Sequence, residues 1–448
     1  FVSFPVFFTE ITLGQFTQKN ASWAFAKIHG ILRGIGVAAV VLVFFIVGYY
    51  NVLLAWSVNY LFLSFTTGDL PWLNQSEAYF FEVLQTSESI SEFGTLNWWM
   101  ILTLAIVWIF LYFSTMKGVT LSGKIALFTV TGPYVLLVIL FIRGITLPGA
   151  LDGILFYVTP KFEVLIKPDV WIAAFTQVFF SSSVSIGACI VFGSFLDREK
   201  RITKDIITIA LTNSLTSIFA GFVVFAILGY MSFEKGVPIE SVVAQGPGLA
   251  FIVYPEALAL MPFGPFFSVL FFIMILLLGI DSTFGMVETV SEVVSNFELL
   301  SNVRREITHA IVCFALLLIG ILFTSSAGYY YLEFSDYYVN LVMLFVVGFA
   351  ESIVVGWVYP GKKFIDDINI SNGTKIPKFY PIIMQFVVPI VLAIILVATM
   401  ISEIMNPKDY PTFYIILGWI IAFFPIIPLI YFLIFPKPVK EDREPEEA

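Results

Sequence analysis

The sequence predicts an all-α polytopic membrane protein. Of its 448 residues, 59% are hydrophobic and only 12% are charged, and the mean hydropathy is +0.95. Soluble domains are about 45–50% apolar and about 25% charged, so this composition excludes an ordinary soluble protein. The apolar residues occur in runs of roughly 20, the length at which a helix crosses about 30 Å of hydrocarbon. Backbone polar groups in hydrocarbon must be satisfied within each run, so every run is expected to be helical.

The apolar runs divide the chain into candidate membrane segments. In order they span 1–16, 35–66, 98–116, 123–145, 170–195, 203–232, 262–295, 308–327, 336–360, 379–402 and 412–436. The first run is short and the chain begins with Phe1 rather than Met, so we expect that an upstream segment is missing.

The distribution of Lys and Arg predicts the orientation in the membrane. If the loop after the first segment is cytoplasmic, all but five of the 23 Lys and Arg residues lie on the cytoplasmic side. The five on the outer side are Arg143, Lys161, Lys167, Lys235 and Lys408. Cytoplasmic loops carry an excess of basic residues, so we expect a cytoplasmic C-terminus.

Several function classes are disfavoured. The net charge of −9 argues against a nucleic-acid partner. The stretch "GIGVAA" at 34–39 resembles a dinucleotide-binding fingerprint but lacks the strand and helix that such a site needs. His29 and His309 are too far apart in the predicted topology to share a metal, and Cys189 and Cys313 show no pairing pattern. No catalytic constellation is evident, so we predict that the protein is not an enzyme.

Asp281 is the clearest polar signal at membrane depth. It lies in the apolar stretch "LLLGIDSTFGM" (276–286), and Ser282 and Thr283 follow it. A carboxylate there is costly, so it has either a partner or a function. Pairing with a cationic side chain, or capping a kink, is one explanation, but no other segment holds Lys or Arg at that depth. A bound inorganic cation is the simpler partner, because carboxylate, hydroxyl and carbonyl oxygens are ligands for hard ions.

The stretch "SSSVSIG" at 181–187 interrupts the apolar run 170–195. Serine hydroxyls compete for backbone hydrogen bonds, and irregular backbone at membrane depth is tolerated where it lines a cavity. The stretch therefore predicts an unwound joint between two half-helices, the kind of element that holds substrate and ions in secondary transporters. The alternative is a continuous helix whose small residues pack closely against a neighbour.

Longer stretches resemble the neurotransmitter:sodium symporter family across nearly the whole chain. The matching stretches are "FPVFFTEITLGQF" (4–16), "GYYNVLLAWSVNYL" (48–61), "DLPW" (69–72), "GVTLSGKIALFTVTGPY" (118–134), "RGITLPGALDGI" (143–154), "QVFFSSSVSIG" (177–187), "GPGLAFIVYPEAL" (246–258) and "GIDSTFGMVE" (279–288). Their number and order exclude a chance similarity.

The resemblance implies a fold of two inverted five-helix repeats followed by two more helices. Family helix 1 and the start of helix 2 are expected to be missing from this chain. The expected units are 1–145 (the rest of the first repeat), 146–169 (an outer loop), 170–360 (the second repeat, with outer loop 233–261), 361–436 (the last two helices) and 437–448 (an acidic cytoplasmic tail).

The resemblance also implies ion sites. The remaining ligands of the family's second sodium site would be the Leu278 carbonyl, Asp281 and Ser282, and those of the first would be Ser181 and Asn213. The chloride site would contain Gln177, Ser181, Asn213 and Ser217. Chloride-independent bacterial members carry a carboxylate where Ser217 stands, so Ser217 favours chloride dependence.

For the substrate, the resemblance gives Tyr50 as the residue that binds the polar head group and closes a gate against Phe180. The other pocket residues would be Ile46, Ser181, Ser183, Ile186, Ser282 and Met286. Asp336 matches the acid of the outer gate.

Three positions depart from the family pattern. Ser185 replaces a frequent glycine in the joint and is expected to stiffen it or to add a polar contact. Asn296 stands near the usual inner-gate aspartate, and Phe195 stands where a tyrosine is common. We therefore expect a different cytoplasmic gate.

These observations predict a sodium-coupled, chloride-dependent symporter that imports a small amino acid across the plasma membrane by alternating access. One alternative is a carrier of monoamines or other neurotransmitter-like amines, because the helix 1 position that distinguishes the two substrate classes is not in this chain. Another is a sensor or leak that binds ligand without transporting it. The expected partners are a small-molecule substrate and the lipid bilayer, and the oligomeric state stays open.

Overall fold

The protein, described here by a computed structural model, is a bundle of helices. The structure describes residues 2–295, 300, 303–359 and 379–436. In these ranges the one β feature is an isolated bridge between Leu96 and Ser325. The predicted all-helical fold is confirmed.

Eight helices in the described part of the chain are long and apolar enough to cross a membrane. They are α3 (Arg33–Ser64), α5 (Trp98–Thr115), α6 (Val119–Ile145), α10 (Thr203–Lys235), α12 (Gly264–Val294), α13 (Arg305–Leu322), α14 (Gly328–Val358) and α15 (Tyr380–Met405). The protein is therefore a multi-pass membrane protein.

Shorter helices complete the bundle. They are α1 (Ser3–Thr17), α2 (Ala21–Ile28), α4 (Ser76–Leu84), α7 (Ala150–Val158), α8 (Pro168–Ser181), α9 (Ala188–Ser194), α11 (Gly246–Leu260), α16 (Thr412–Phe423) and α17 (Ile426–Ile434). The apolar runs did not predict α2, α4 and α7, since each of these helices is too short to cross a bilayer.

Among the predicted segments whose bounds differ in the structure, two show the physical cause clearly. The segment expected at 336–360 begins eight residues earlier, at Gly328, because its first turns carry polar residues that delay the apolar run. The segment expected at 412–436 is divided into α16 and α17, which bend by 47°. Pro425 lies at this bend, and proline removes a backbone donor and clashes with the preceding turn.

Helix α3 lies at the centre of the helix bundle. It packs against α2, α5, α12 and α14, and most of its residues are buried. Glycine allows the closest of these approaches: a Cβ on Gly36 would lie 2.2 Å from the Ala21 carbonyl oxygen of α2. Small residues at such crossings let helix backbones meet in membranes.

Helices α1 and α9 also meet through glycines. A Cβ on Gly14 would lie 2.0 Å from the Ile190 carbonyl oxygen, and a Cβ on Gly193 would lie 2.2 Å from the Ile11 carbonyl oxygen. Larger residues at either position would force the two helices apart. The pair fixes α9 beside α1 and so determines where the chain between α8 and α9 lies.

Helix α11 is fixed at both of its flanks. The Trp72 indole N–H donates to the Pro255 carbonyl oxygen at 2.9 Å, and the Tyr230 hydroxyl donates to the Leu260 carbonyl oxygen at 2.7 Å. Lys235, at the end of α10, forms an ion pair with Glu256. These contacts hold α11 across the ends of the neighbouring long helices.

Candidate functional site

The chain between α8 and α9 is unwound. Helix α8 ends at Ser181 and α9 begins at Ala188, and residues 182–187 are not helical. Ser183, Ser185 and Gly187 have φ angles of 54°, 65° and 74°. L-residues rarely adopt this left-handed region, and such backbone strain clusters at functional sites. The predicted joint is confirmed, and the alternative of a continuous helix is wrong.

Glu10 on α1 holds the joint in place. The Ser185 backbone N–H donates to Glu10 Oε1 at 2.5 Å, and the Glu10 side chain is buried. Glu351 on α14 lies near Glu10, and its side chain is also buried. Neither glutamate was among the predicted site residues. Glu10 lies within the apolar run 1–16, so the rule that singled out Asp281 applies to it as well.

The contact that Ser185 makes differs from the expected one. Its side-chain hydroxyl has no hydrogen-bond partner among the described residues, and it packs where a Cβ on Gly348 would stand. The polar contact comes from the backbone N–H instead, which any residue except proline provides.

Cys189 supplies a second contact to the joint. Its thiol donates to the Ser183 carbonyl oxygen at 3.4 Å and lies 3.6 Å from the Ser182 carbonyl oxygen. The unwound carbonyls therefore have a weak donor on α9. This role could not be predicted from the residues alone, because the contact depends on the path of the joint.

A cavity of about 1070 Å³ opens beside the joint, between α3, α6, α8, α9, α10 and α12. Most of the predicted site residues line it: Ile46, Tyr50, Gln177, Phe180, Ser181, Ser183, Ile186, Asn213, Leu278, Asp281, Ser282 and Met286. Phe195 lines it as well. Ser217 and Asp336 do not line it, and Asn296 lies outside the described residues.

A second cavity, of about 670 Å³ and mostly apolar, reaches the joint from the side of α1. Ser181, Ser183 and Asn213 line both cavities. The joint is thus accessible from two sides.

The first polar cluster of the larger cavity lies on α12. Leu278, Asp281 and Ser282 are three and four residues apart and therefore share one helix face. The Thr129 hydroxyl on α6 donates to Asp281 Oδ1 at 3.0 Å, and the Ser282 hydroxyl donates to the Leu278 carbonyl oxygen at 3.1 Å. Tyr50 on α3 lines the same cavity. In the ranges that the structure describes, Asp281 has no ion pair with Lys or Arg.

The second polar cluster joins the end of α8 to α10. The Asn213 side-chain amide donates to Ser181 Oγ at 2.9 Å. One turn further along α10, the Ser217 hydroxyl donates to the Asn213 carbonyl oxygen at 3.1 Å. This cluster contains hydroxyl and amide groups and no charge. Such neutral groups can face a cation with their oxygens or an anion with their hydrogens.

Asp336 on α14 lies in a separate polar cluster. It accepts hydrogen bonds from the Tyr49 hydroxyl at 2.8 Å and from the Asn340 amide at 2.9 Å. Tyr49 precedes Tyr50, and consecutive helix residues point about 100° apart. Tyr50 and Phe180, the expected gate pair, both line the cavity, whereas Asp336 connects to α3 through Tyr49. The sequence analysis did not identify Tyr49.

An apolar helix bundle with a cavity at an interrupted helix has the architecture of a secondary transporter. The chain belongs to the Sodium:neurotransmitter symporter family, whose sequence model matches residues 1–80 and 74–437. The resemblance found from the motifs is confirmed. The chain is therefore a transporter and not an enzyme.

Characterised relatives cover most of the chain. A "Sodium- and chloride-dependent GABA transporter 2" from Rattus norvegicus is 38% identical over 457 residues, which are 93% of this chain and 76% of the relative. A "Sodium- and chloride-dependent creatine transporter 1" from Bos taurus is 38% identical over 459 residues, 93% of this chain and 71% of the relative. The Homo sapiens GABA transporter 2 is 37% identical, with 93% and 76% covered.

Proposed function

We propose that this protein imports a small zwitterionic amino acid or a close analogue across the plasma membrane, driven by sodium and dependent on chloride. The observation that carries the proposal is the cavity onto which both the unwound joint and Asp281 open. The non-helical backbone of the joint and a carboxylate that has no ion pair among the described residues then face one bound solute. A shared site is what coupling between ion and substrate requires, since a ligand shifts a conformational equilibrium only through its differential affinity for the states.

Sodium is proposed at two places. The Leu278 carbonyl, Asp281 and Ser282 would form one site, and Ser181 and Asn213 would contribute to the other. Hard oxygen ligands suit a hard monovalent ion, and the carboxylate of Asp281 offsets its charge. The lack of a cationic side chain beside Asp281, within the described ranges, supports an ion as its partner.

Chloride is proposed beside Ser181 and Asn213, with Gln177 and Ser217 completing the site. These four side chains are neutral hydrogen-bond donors, so they can hold an anion without binding a proton. A chloride there would offset the charge of the neighbouring sodium. The chloride dependence named for the GABA and creatine transporters agrees with this assignment.

The proposed substrate lies between Tyr50 and the joint. Tyr50 and Ser183 offer polar contacts, whereas Ile46, Ile186 and Met286 make the rest of the lining apolar. GABA and creatine, the substrates named for the relatives, each carry a carboxylate and a cationic group. Compounds of that class are therefore the first candidates, ahead of monoamines, which lack the carboxylate.

The test is uptake by the protein reconstituted in proteoliposomes. Labelled GABA, creatine, glycine, leucine and one monoamine are offered while external sodium or chloride is replaced by an impermeant ion. Asp281→Asn is compared with Asp152→Asn, a change at an exposed position of α7. Uptake that requires both ions and is lost only in Asp281→Asn is expected.

Three other outcomes would contradict parts of the proposal. Uptake that continues without sodium would contradict sodium coupling. Normal uptake by the Asp281→Asn variant would contradict the assignment of Asp281 to a sodium site. Ligand binding without uptake favours the non-transporting sensor.

A further inference from the structure

We propose that Thr129 on α6 is a positioning residue for the sodium site at Asp281. It would orient the carboxylate so that one oxygen is held by the protein and the other is presented to the ion. This inference rests on the function proposed above. Thr129 was not among the residues predicted from the sequence.

The burial pattern of α6 sets Thr129 apart. Across residues 121–132, Thr129 is the one fully buried position, with 2% of its surface exposed. Its neighbours Leu127, Phe128 and Val130 are 73%, 68% and 42% exposed. Leu127 and Phe128 face outward, whereas Ser122, Gly123, Ala126 and Val130 line the larger cavity. The polar side chain of Thr129 therefore points inward, toward α12.

A close helix crossing brings Thr129 to Asp281. A Cβ on Gly132, three residues after Thr129, would lie 2.9 Å from Cδ1 of Leu277, four residues before Asp281. The absence of that Cβ lets α6 approach α12. At this approach Thr129 Oγ1 lies 3.0 Å from Asp281 Oδ1.

The hydroxyl has one proton and two acceptors within reach. Its distance to Asp281 Oδ1 is 3.0 Å, and its distance to the Ile125 carbonyl oxygen on its own helix is 3.4 Å. Donation to the charged oxygen is favoured by both distance and charge. Across the described residues no other hydrogen bond to the Asp281 side chain is found, so Oδ2 accepts none from this part of the protein.

This arrangement predicts that removing the Thr129 hydroxyl lowers the affinity for sodium. Without the Thr129 hydroxyl, the carboxylate is free to rotate and one of its oxygens lacks a donor. The ion must then order the side chain as it binds, which lowers sodium affinity. The proposed chloride contacts lie on α8 and α10 and should be affected less.

The experiment measures the concentrations of sodium and of chloride that give half-maximal uptake, in the wild type and in three variants. Thr129→Val keeps the shape of the side chain and removes the donor, and Thr129→Ser keeps the donor. Thr131→Val is the matched control, because Thr131 is exposed and its hydroxyl donates back to Leu127 on its own helix.

We expect Thr129→Val to raise the half-saturating sodium concentration about tenfold, the order expected for a hydrogen bond to a charged group. Half-saturating chloride should stay within about twofold of the wild-type value. Thr129→Ser should restore sodium affinity, and Thr131→Val should match the wild type. A purely structural role would not give this ion selectivity or the rescue by serine.

A second readout does not need transport. Sodium is titrated against the thermal midpoint of the purified protein for wild type, Thr129→Val, Asp281→Asn and the double variant. Thr129→Val should weaken the sodium response of the wild type and should change nothing further in the Asp281→Asn background, as expected for coupled residues.

The outcomes separate the two proposals. If Asp281→Asn abolishes sodium dependence and Thr129→Val does not change it, the inference about Thr129 is wrong and the proposed function stands. Equal losses in Thr129→Val and Thr129→Ser also overturn it, since they indicate packing. If Asp281→Asn leaves sodium dependence intact, both proposals are wrong.

Discussion

Glu10 accepts a hydrogen bond from a backbone N–H of the unwound joint. The Ser185 amide lies where no helical carbonyl is available, and Glu10 Oε1 accepts from it. A buried backbone donor without a partner is costly, so the carboxyl compensates for the broken helix.

Replacing Glu10 should destabilise the joint. Glu10→Ala leaves the Ser185 N–H without an acceptor and should lower the free energy of unfolding by about 1–3 kcal/mol. Glu10→Gln retains a carbonyl acceptor and should lose less. Thermal unfolding in detergent measures both, with Glu77→Ala on the exposed face of α4 as the control. Equal stability of Glu10→Ala and the control would show that the contact has no energetic role.

Ser217 allows a separate test of the chloride site. A carboxylate there would supply the negative charge that chloride is proposed to provide, so Ser217→Glu should take up substrate without chloride. Ser214→Glu, three residues earlier on α10, is the control and should remain chloride-dependent or inactive. Uptake is measured with chloride and with gluconate outside. A chloride requirement that persists in Ser217→Glu would contradict the assignment.

Individual site residues could be predicted where a polar residue type is unusual for its place in an apolar run. Asp281 stood out as a carboxylate in an apolar run, and the serines of 181–187 predicted a joint. Thr129 and Tyr49 could not be found this way. A threonine or tyrosine on a membrane helix is common, and what distinguishes these two is the approach of a second helix.

At the scale of elements, the left-handed residues define the joint. Gly187 ends it with a φ of 74°, and its absent Cβ would lie 3.0 Å from the Ala21 Cβ on α2. A side chain there is strained by both the backbone angle and the neighbour.

Gly187→Ala should therefore lower stability by about 1–2 kcal/mol, the cost of an L-residue in this region. Gly123→Ala is the matched control: Gly123 is helical, and its added Cβ would meet no atom within 4 Å. Alanine is the better helix former, so the control should be neutral or slightly stabilising. Thermal midpoints of the two variants decide the matter. A Gly187→Ala protein as stable as the control would argue for a relaxed joint.

The ends of the helices could be predicted only where the sequence changes abruptly from polar to apolar residues. Helices α10 and α12 agree with their predicted segments within three residues. Helix α14 starts early because Tyr329, Glu333 and Asp336 occupy its first turns. A hydropathy pattern cannot separate a polar helical turn from a polar loop.

For the whole molecule, ion binding should appear as stability. A ligand that binds only the folded state stabilises it by about 2.7 kcal/mol at a hundred times its dissociation constant. Sodium should therefore raise the thermal midpoint of the wild-type protein, and choline at equal ionic strength should not. The increase should be much smaller in Asp281→Asn than in Asp152→Asn. Equal effects of sodium and choline would point to ionic strength alone.

The fold class of the whole molecule followed from composition and hydropathy, because a bilayer leaves few alternatives to a helix bundle. The arrangement of the helices did not follow from the residues themselves. It came from the family resemblance, which the family match confirms. The cytoplasmic position of the C-terminus stays a prediction from the distribution of Lys and Arg.

Two adjacent tyrosines of α3 have different surroundings, so an insertion or deletion in this helix should disturb both. Tyr49 contacts Asp336 on α14, and Tyr50 faces the cavity. One residue inserted within α3 before Tyr49 would rotate both side chains by about 100° and displace them together. Insertions and deletions should therefore be excluded from the first half of α3 and tolerated in exposed loops such as 66–69, where a shift in register moves no site residue.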